Sequence, residues 1–231
     1  NTEDDNNTLS LATSYTDTAG NTGPAATTLN YVIDTTAPSV SSFTLSDTAL
    51  ITGDNATVTL VFSEAVASFS SSADITVANG TLAVMTSTDN ITWAGTFTPT
   101  ANTEDASNTL SLATSYTDTA GNAGASATTA NYAVETQAPT VSSVSTTADN
   151  QSLVSITDNI TVTFSEAMES SYVTTNTSDT FCAGTIWVSS DNFSSCVQMS
   201  SSPSSSNSNR TFTLDPYDNL TSSTTYKTRV T

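Results

Sequence analysis

NTLSLATSYTDTAGN occupies residues 7–21, and the same fifteen letters return at residues 108–122. The offset is 101 residues, and it holds on both sides of the match. NTEDD at 1–5 corresponds to NTEDA at 102–106, and DTTAPSVSS at 34–42 corresponds to ETQAPTVSS at 135–143. FSEAV at 62–66 returns as FSEAM at 164–168, with the offset now 102. A period of about 100 residues is too long for a helical solenoid and points to a whole domain as the repeating unit. One complete unit covers 38–137. Residues 1–37 match only the second half of such a unit, so the sequence is expected to begin inside a domain. Residues 138–231 start a third unit that diverges after FSEAM and is expected to be incomplete at its C-terminal side.

Within 38–137 the apolar residues alternate with polar ones, the period of a strand wet on one face. Val40 and Phe43 mark a first strand, A. Val58, Leu60 and Phe62 mark B, Ile75 and Val77 mark C, and Leu82 and Val84 mark the next. Ile91, Trp93 and Phe97 mark E, Leu110, Leu112 and Tyr116 mark F, and Tyr132 and Val134 mark G. Turn chemistry separates them: TGDN at 52–55, NG at 79–80, STDN at 87–90 and DTAGN at 118–122. No stretch has helical periodicity. Seven short strands with one apolar face each predict an all-β fold, in which each unit is a two-sheet sandwich of immunoglobulin-like size. The linkers around Pro38 and Pro139 are a few residues long. Each Pro fixes its own φ and extends the Ala before it. Tandem sandwiches stacked end to end are therefore expected.

Composition narrows the function. The 231 residues carry 22 acids against 3 bases, a formal charge of −19, and no His. The bases are Arg210, Lys227 and Arg229. Neutralising phosphates takes clustered Lys or Arg, so nucleic-acid binding is excluded, and so is attraction to an anionic membrane surface. No apolar run is long enough for a membrane-spanning helix. Without His there is no serine–histidine catalysis and no His-ligated metal site. Without Lys before Lys227, Schiff-base chemistry and Lys–Asn crosslinks are excluded over most of the chain. No enzyme is expected. Thr and Ser, 49 and 38 residues, slightly outnumber the 36% that are hydrophobic. Thr is β-branched and suits a half-exposed strand, so this composition predicts wet sheets rather than disorder.

The third unit repeats the B strand as Ile160, Val162 and Phe164, then inserts SDTFCAGTIWVSSDNFSSCV at 178–197. SSSPSSSNSN at 200–209 reads as a solvated loop, and YKTRV at 226–230 reads as a strand. Cys182 and Cys196 are the only cysteines. The soft partners of a metal site are absent, so a disulfide is predicted, and with it an extracellular or periplasmic location. Trp93 alternates with Ile91 and Phe97 and reads as core. Trp187 reads as cover for the disulfide, with a sugar-stacking role as the alternative.

TVTLVFSEAV, DITVANGTL, WAGTFTPTAN, YTDTAGN and NYVIDTTAP, in that order, resemble the bacterial Ig-like repeats of very large secreted surface adhesins. The resemblance covers 38–137 in full and 1–37 as a half repeat. The third unit, with VTFSEAMESSYVTTNTS, the Cys pair and TFTLDPYDNLTSSTTYKTRV, is similar to the Ig-like domain first named from a bacterial S-layer protein. The resemblance implies tandem stalks that hold a binding module away from the cell, with neighbouring Ig-like domains of the same chain as partners. It also implies structural Ca²⁺ at the joints between domains.

Calcium takes oxygen ligands from carboxylates, amides, backbone carbonyls and water. In an Ig sandwich the BC and FG loops lie at the end where the chain comes in, and the AB loop lies where it leaves. For the complete unit this gathers Asp34 from the linker, Glu64 from the BC loop, and Asp118 and Asn122 from the FG loop. The bland alternative is that DTAGN is only an Asx turn and that Glu64 caps a short helical turn. The next joint offers Glu135 from the linker, Glu166 from the SEAM loop, and Asp47 and Asp54 from the AB region. In the half repeat Asp17 and Asn21 match Asp118 and Asn122, but a site there would lack its BC-loop partner.

Three functions compete. The first is a non-catalytic stalk segment of a bacterial surface adhesin, stiffened by calcium. The second is a subunit of an extracellular filament or surface layer, in which incomplete sandwiches accept strands from other copies. The third is a carbohydrate-binding module or accessory domain of a secreted hydrolase.

Overall fold

The computed structural model describes residues 3–146 and 155–231. The chain divides into two compact units, residues 1–137 and 138–231. The boundary falls in the linker after QAP begins, between Gln137 and Ala138.

In the first unit the strands are β1 (Glu3–Asn7), β2 (Ser10–Leu11), β3 (Ala26–Thr27), β4 (Tyr31–Asp34), β5 (Val40–Leu45), β6 (Ala49–Ile51) and β7 (Ala56–Phe62). After one helical turn, α1 (Ser71–Asp74), follow β8 (Ile75–Thr76), β9 (Gly80–Leu82), β10 (Thr92–Pro99), β11 (Glu104–Asn108), β12 (Ser111–Leu112), β13 (Ala127–Thr128) and β14 (Tyr132–Glu135). One sheet has the order β5-β7-β10-β9. Two three-stranded sheets, β11-β14-β6 and β13-β12-β8, complete the sandwich. The earlier residues form two separate hairpin-like pairs, β1-β4 and β2-β3.

The core follows the period-2 pattern. Ala56, Val58, Leu60 and Phe62 are buried along β7, and between them Thr57, Thr59 and Val61 are not. The Phe62 ring lies 4.8 Å from that of Tyr116, and Phe97 lies 5.2 Å from Tyr132. These two contacts join the β5-β7-β10-β9 sheet to the segments that face it. Trp93 is half-buried and packs edge-on to Phe69 at 4.9 Å. Gly80 is required because any Cβ there would run into the Phe97 ring.

Residues 38–137 hold ten strands rather than seven. The added ones, β6, β11 and β13, are short or polar and carry no alternation of their own. Strand F shrinks to Ser111–Leu112. Leu110 and Tyr116 are fully buried but lie outside it. Val84 falls beyond β9 and is 73% exposed, so it is not a strand position. The four-residue α1 was not expected. Its Asp74 is buried, accepts from the backbone N–H of Ser70 at 2.7 Å, and accepts from the Ser115 hydroxyl.

The second unit contains β15 (Val141–Thr146), β16 (Ile160–Phe164), a 3-10 turn at Ser170–Tyr172, β17 (Ile186–Ser189), β18 (Ser204–Ser206), β19 (Thr211–Leu214) and β20 (Lys227–Val230). Its sheets are β15-β16-β19-β18 and β17-β20. Ile160, Val162, Phe164, Ile186, Val188, Phe212 and Leu214 are among its buried core. The serine-rich segment is not simply a loop. Ser204–Ser206 pairs with β19 as an exposed edge strand, which needs backbone hydrogen bonds but no apolar side chain. Cys182 and Cys196 are disulfide-bonded, with Cα atoms 5.0 Å apart. Trp187 turns away from its buried neighbours. Its indole N–H donates to the Gly184 carbonyl at 2.8 Å, its ring lies 6.4 Å from that of Phe193, and the Arg229 guanidinium caps both rings, 5.7 Å from the Trp187 centroid and 4.1 Å from the Phe193 centroid.

Candidate metal centre

The BC and FG loops of the complete repeat are tied together by main-chain bonds. Val66 forms a bridge with Asp118, and the Ala67 N–H donates to the Thr117 carbonyl at 2.8 Å. The Ser68 hydroxyl accepts from the Thr117 N–H at 2.9 Å. Ser63 clamps the linker: its N–H donates to the Ser39 carbonyl at 2.8 Å, and its hydroxyl accepts from the Ser39 N–H at 2.9 Å. These bonds explain why residues 30 to 84 positions apart in sequence meet. Asp34, Glu64 and Asp118 each place a carboxylate oxygen within 4.8 Å of the others.

The DTAGN loop supplies its own scaffold. One carboxylate oxygen of Asp118 accepts from the backbone N–H groups of Ala120 and Asn122, at 2.8 and 2.9 Å, and the other accepts from the Asn122 amide at 2.8 Å. The loop is thus an Asx turn, and Gly121 takes the positive φ (+94°) that it requires. The Asn122 amide also donates to the Asp34 carbonyl and carboxylate, at 3.3 and 3.4 Å. Asn122 therefore latches Asp34 to Asp118 and turns its N–H groups, not its oxygen, to the cluster. Glu64 sits in a bend after β7 and starts no helical turn.

The electrostatics are those of crowded like charges. Desolvation by burial, followed by the charges of Asp34, Asp118 and Glu3, raises the pKa of Glu64 above its ordinary 4.5. Burial also pushes Asp118 upward. The hydrogen bonds from the Asn122 amide and from the backbone N–H groups of Asn122, Gly121 and Ala120 outweigh it, so Asp118 is held below 3.8 and stays ionised. No Lys or Arg occurs in the first unit to neutralise this charge. Glu3 adds its charge to the cluster although no loop motif marks it. The pairing of β1 with β4 sets it opposite Asp34, and the same register sets Glu104 opposite Glu135.

The other candidate residues are engaged locally. In the half repeat Asp17 and Asn21 form the same Asx turn, with the Asn21 amide 2.8 Å from the Asp17 carboxylate, but both are exposed. Asp47 accepts from the Ala49 N–H at 2.9 Å, Asp54 from the Ile51 N–H at 3.0 Å, and Glu135 from the Gln137 N–H at 3.1 Å. In the second unit Glu166 lies in the bend after β16, half-buried. The linker clamp recurs there, with the Thr140 N–H donating to the Ser165 hydroxyl at 2.9 Å. The Arg210 guanidinium donates to the Ser165 carbonyl at 2.8 Å, so this loop has a base beside it that the FSEAV loop lacks.

Two different family models, both described as bacterial Ig-like domain, match residues 34–134 and 135–231 in tandem. The chain belongs to the bacterial Ig-like domain family. No curated protein and no solved structure gives a significant match. Bacterial Ig-like domains are typical of surface or extracellular proteins and are typically non-enzymatic. Among the described residues no helix is long and apolar enough to cross a membrane. The boundary between the two bacterial Ig-like matches, at 134/135, lies within three residues of the boundary between the compact units.

Proposed function

We propose that this chain is a non-catalytic, extracellular stalk segment of a large bacterial surface adhesin, in which calcium bound by Asp34, Glu64 and Asp118 stiffens the joint leading into the complete repeat. The observation that carries this reading is the convergence of three carboxylates from the linker, the BC loop and the FG loop. A separation of up to 4.8 Å matches oxygens sharing one calcium, since two Ca–O bonds of about 2.3–2.6 Å span at most about 5 Å. Magnesium, with bonds of about 2.0–2.1 Å, spans less. The donor set supports a hard cation as well: there is no His, and the two cysteines are consumed in the disulfide. Bound calcium would supply the positive charge that the first unit lacks. Asp34 would hold the linker to it, Glu64 the BC loop and Asp118 the FG loop, while Asn122 keeps Asp34 and Asp118 oriented. The function is then mechanical, a joint whose parts repel without the ion and lock with it.

Thermal melting and small-angle scattering, each in calcium and in chelator, test this. Calcium is expected to raise the melting temperature of the first unit and to narrow the range of distances between residues 3–37 and the complete repeat, both of which lie within that unit. No change in either quantity would defeat the calcium reading.

A further inference from the structure

The two copies of NTLSLATSYTDTAGN have the same backbone but opposite exposure. β1 pairs with β4 in the register and with the bulge that β11 and β14 repeat 101 residues later. β2-β3 likewise matches β12-β13. Even single contacts recur. The Tyr15 hydroxyl donates to the Pro24 carbonyl as Tyr116 does to Ala125, both at 2.8 Å, and the Asn7 amide donates to the Tyr31 carbonyl as Asn108 does to Tyr132, both at 3.1 Å. Yet Leu9, Leu11, Tyr15 and Tyr31 are 65, 53, 42 and 40% exposed, whereas Leu110, Leu112, Tyr116 and Tyr132 are 0, 2, 0 and 0% exposed. Four identical side chains on identical local structure therefore differ only in what covers them.

The complete repeat shows what the cover is. Phe62 and Phe97 of the β5-β7-β10-β9 sheet lie on Tyr116 and Tyr132. β8 pairs with β12, and β6 runs parallel to β14. The Tyr132 hydroxyl donates to the Ala78 carbonyl, and the Asn79 amide donates to the Asn108 side chain at 2.7 Å. All of these partners come from residues 38–101. Among the described residues nothing plays these parts for Tyr31, Asn7, β2 or β4. A groove of about 340 Å³ lined by Leu9, Leu11, Ala26 and Thr28 lies open instead.

We infer that the face of residues 3–37 carrying Leu9, Leu11, Tyr15 and Tyr31 is a docking surface for the front half of a further bacterial Ig-like repeat, a segment with the strand pattern of residues 38–101. A second copy of this chain is a poor occupant, because its own 38–101 segment is already committed to 102–137. The inference stands independently of calcium.

The test is a full chain extended at Asn1 by a duplicate of residues 38–101, so that the junction repeats Ala101–Asn102. The added segment contains no Tyr. Hydroxyl-radical footprinting then reads Tyr15 and Tyr31 against Tyr116 and Tyr132 in the same molecule, using peptides long enough to distinguish Thr22 from Ala123. The expected result is loss of reactivity at Tyr15 and Tyr31 down to the level of their buried counterparts, and its return in the Leu11→Asp version of the extended chain. Unchanged reactivity with the added segment folded overturns the inference. So does an added segment that stays unfolded, since the residues meant to receive it nearly duplicate those that fold 38–101 in the native repeat. Protection of both tyrosines in the unextended chain, with dimers in light scattering, would assign the face to a second copy and overturn it as well.

Discussion

Leu9→Ala and Leu110→Ala make the same chemical change at the same place in two copies of one motif. Leu110 is fully buried, in contact with the sandwich core, and Leu9 is 65% exposed. Removing a buried Leu to Ala forfeits transfer energy and leaves a cavity, together about 2–5 kcal/mol. At Leu9 roughly a third of the side chain is out of water, and no closed core surrounds it. On a scale of about 1.5–3 kcal/mol for burying a whole Leu side chain, its share is below about 1 kcal/mol. For a domain of about 100 residues each kcal/mol moves the midpoint by about 4–8 °C. Leu110→Ala should therefore lower the first-unit transition by about 10 °C or more, and Leu9→Ala by only a few degrees. Scanning calorimetry of the full chain measures both, and the second-unit transition serves as the internal reference. Equal shifts for the two variants would refute the reasoning, because they would mean that both leucines are covered to the same degree in solution.

The same duplication sets a second expectation. A Cβ at Gly124 would overlap the Tyr116 ring, which Phe62 holds in place, so Gly124→Ala should destabilise the first unit by about 1–3 kcal/mol. Gly23→Ala meets Tyr15 in the same way, but Tyr15 can swing into solvent, so its cost should be smaller by urea titration. Replacing Cys182 and Cys196 together by Ser opens a loop of sequence separation 14 and should lower second-unit stability by about 3 kcal/mol, leaving the first-unit transition in place. Asp191 gives the pH dependence. Hydrogen bonds from the Ser195 hydroxyl and N–H and the Ser189 hydroxyl hold its pKa at about 2, below the ordinary 3.8. Its contribution to the second unit is therefore fully present above pH 3.8 and disappears as pH falls towards 2. Carboxyl NMR should give a midpoint near 2 that moves up in Ser195→Ala, and a midpoint near 3.8 in the parent would contradict the bonding.

The parts of the fold that show in the sequence are those where burial and period coincide. Along β7, Val58, Leu60 and Phe62 alternate with residues facing outward, and a strand is the one structure that buries such a set. β11 reads EDASN and buries only Asn108, whose amide bonds the backbone across a bulge. Nothing apolar marks it as a strand. β6 buries Leu50 alone and gains its partner, β14, from more than 80 residues away, so local pattern is silent there as well. Leu110 and Tyr116 show the converse: the alternation marks them as buried, but the backbone around them is loop. The carboxylate cluster was legible because sandwich topology assigns loops to ends, and Asp34, Glu64 and Asp118 lie on three segments of one end. Glu3 was not, because its place follows from the register of β1 against β4 rather than from any loop motif.

Calorimetric titration of calcium into chelator-treated full chain, compared with the Asp34→Asn, Glu64→Gln, Asp118→Asn triple variant, tests the central claim most directly. The parent is predicted to bind one calcium more than the triple variant, and Asp17→Asn to bind as the parent does. Equal stoichiometry in the parent and the triple variant would contradict the account.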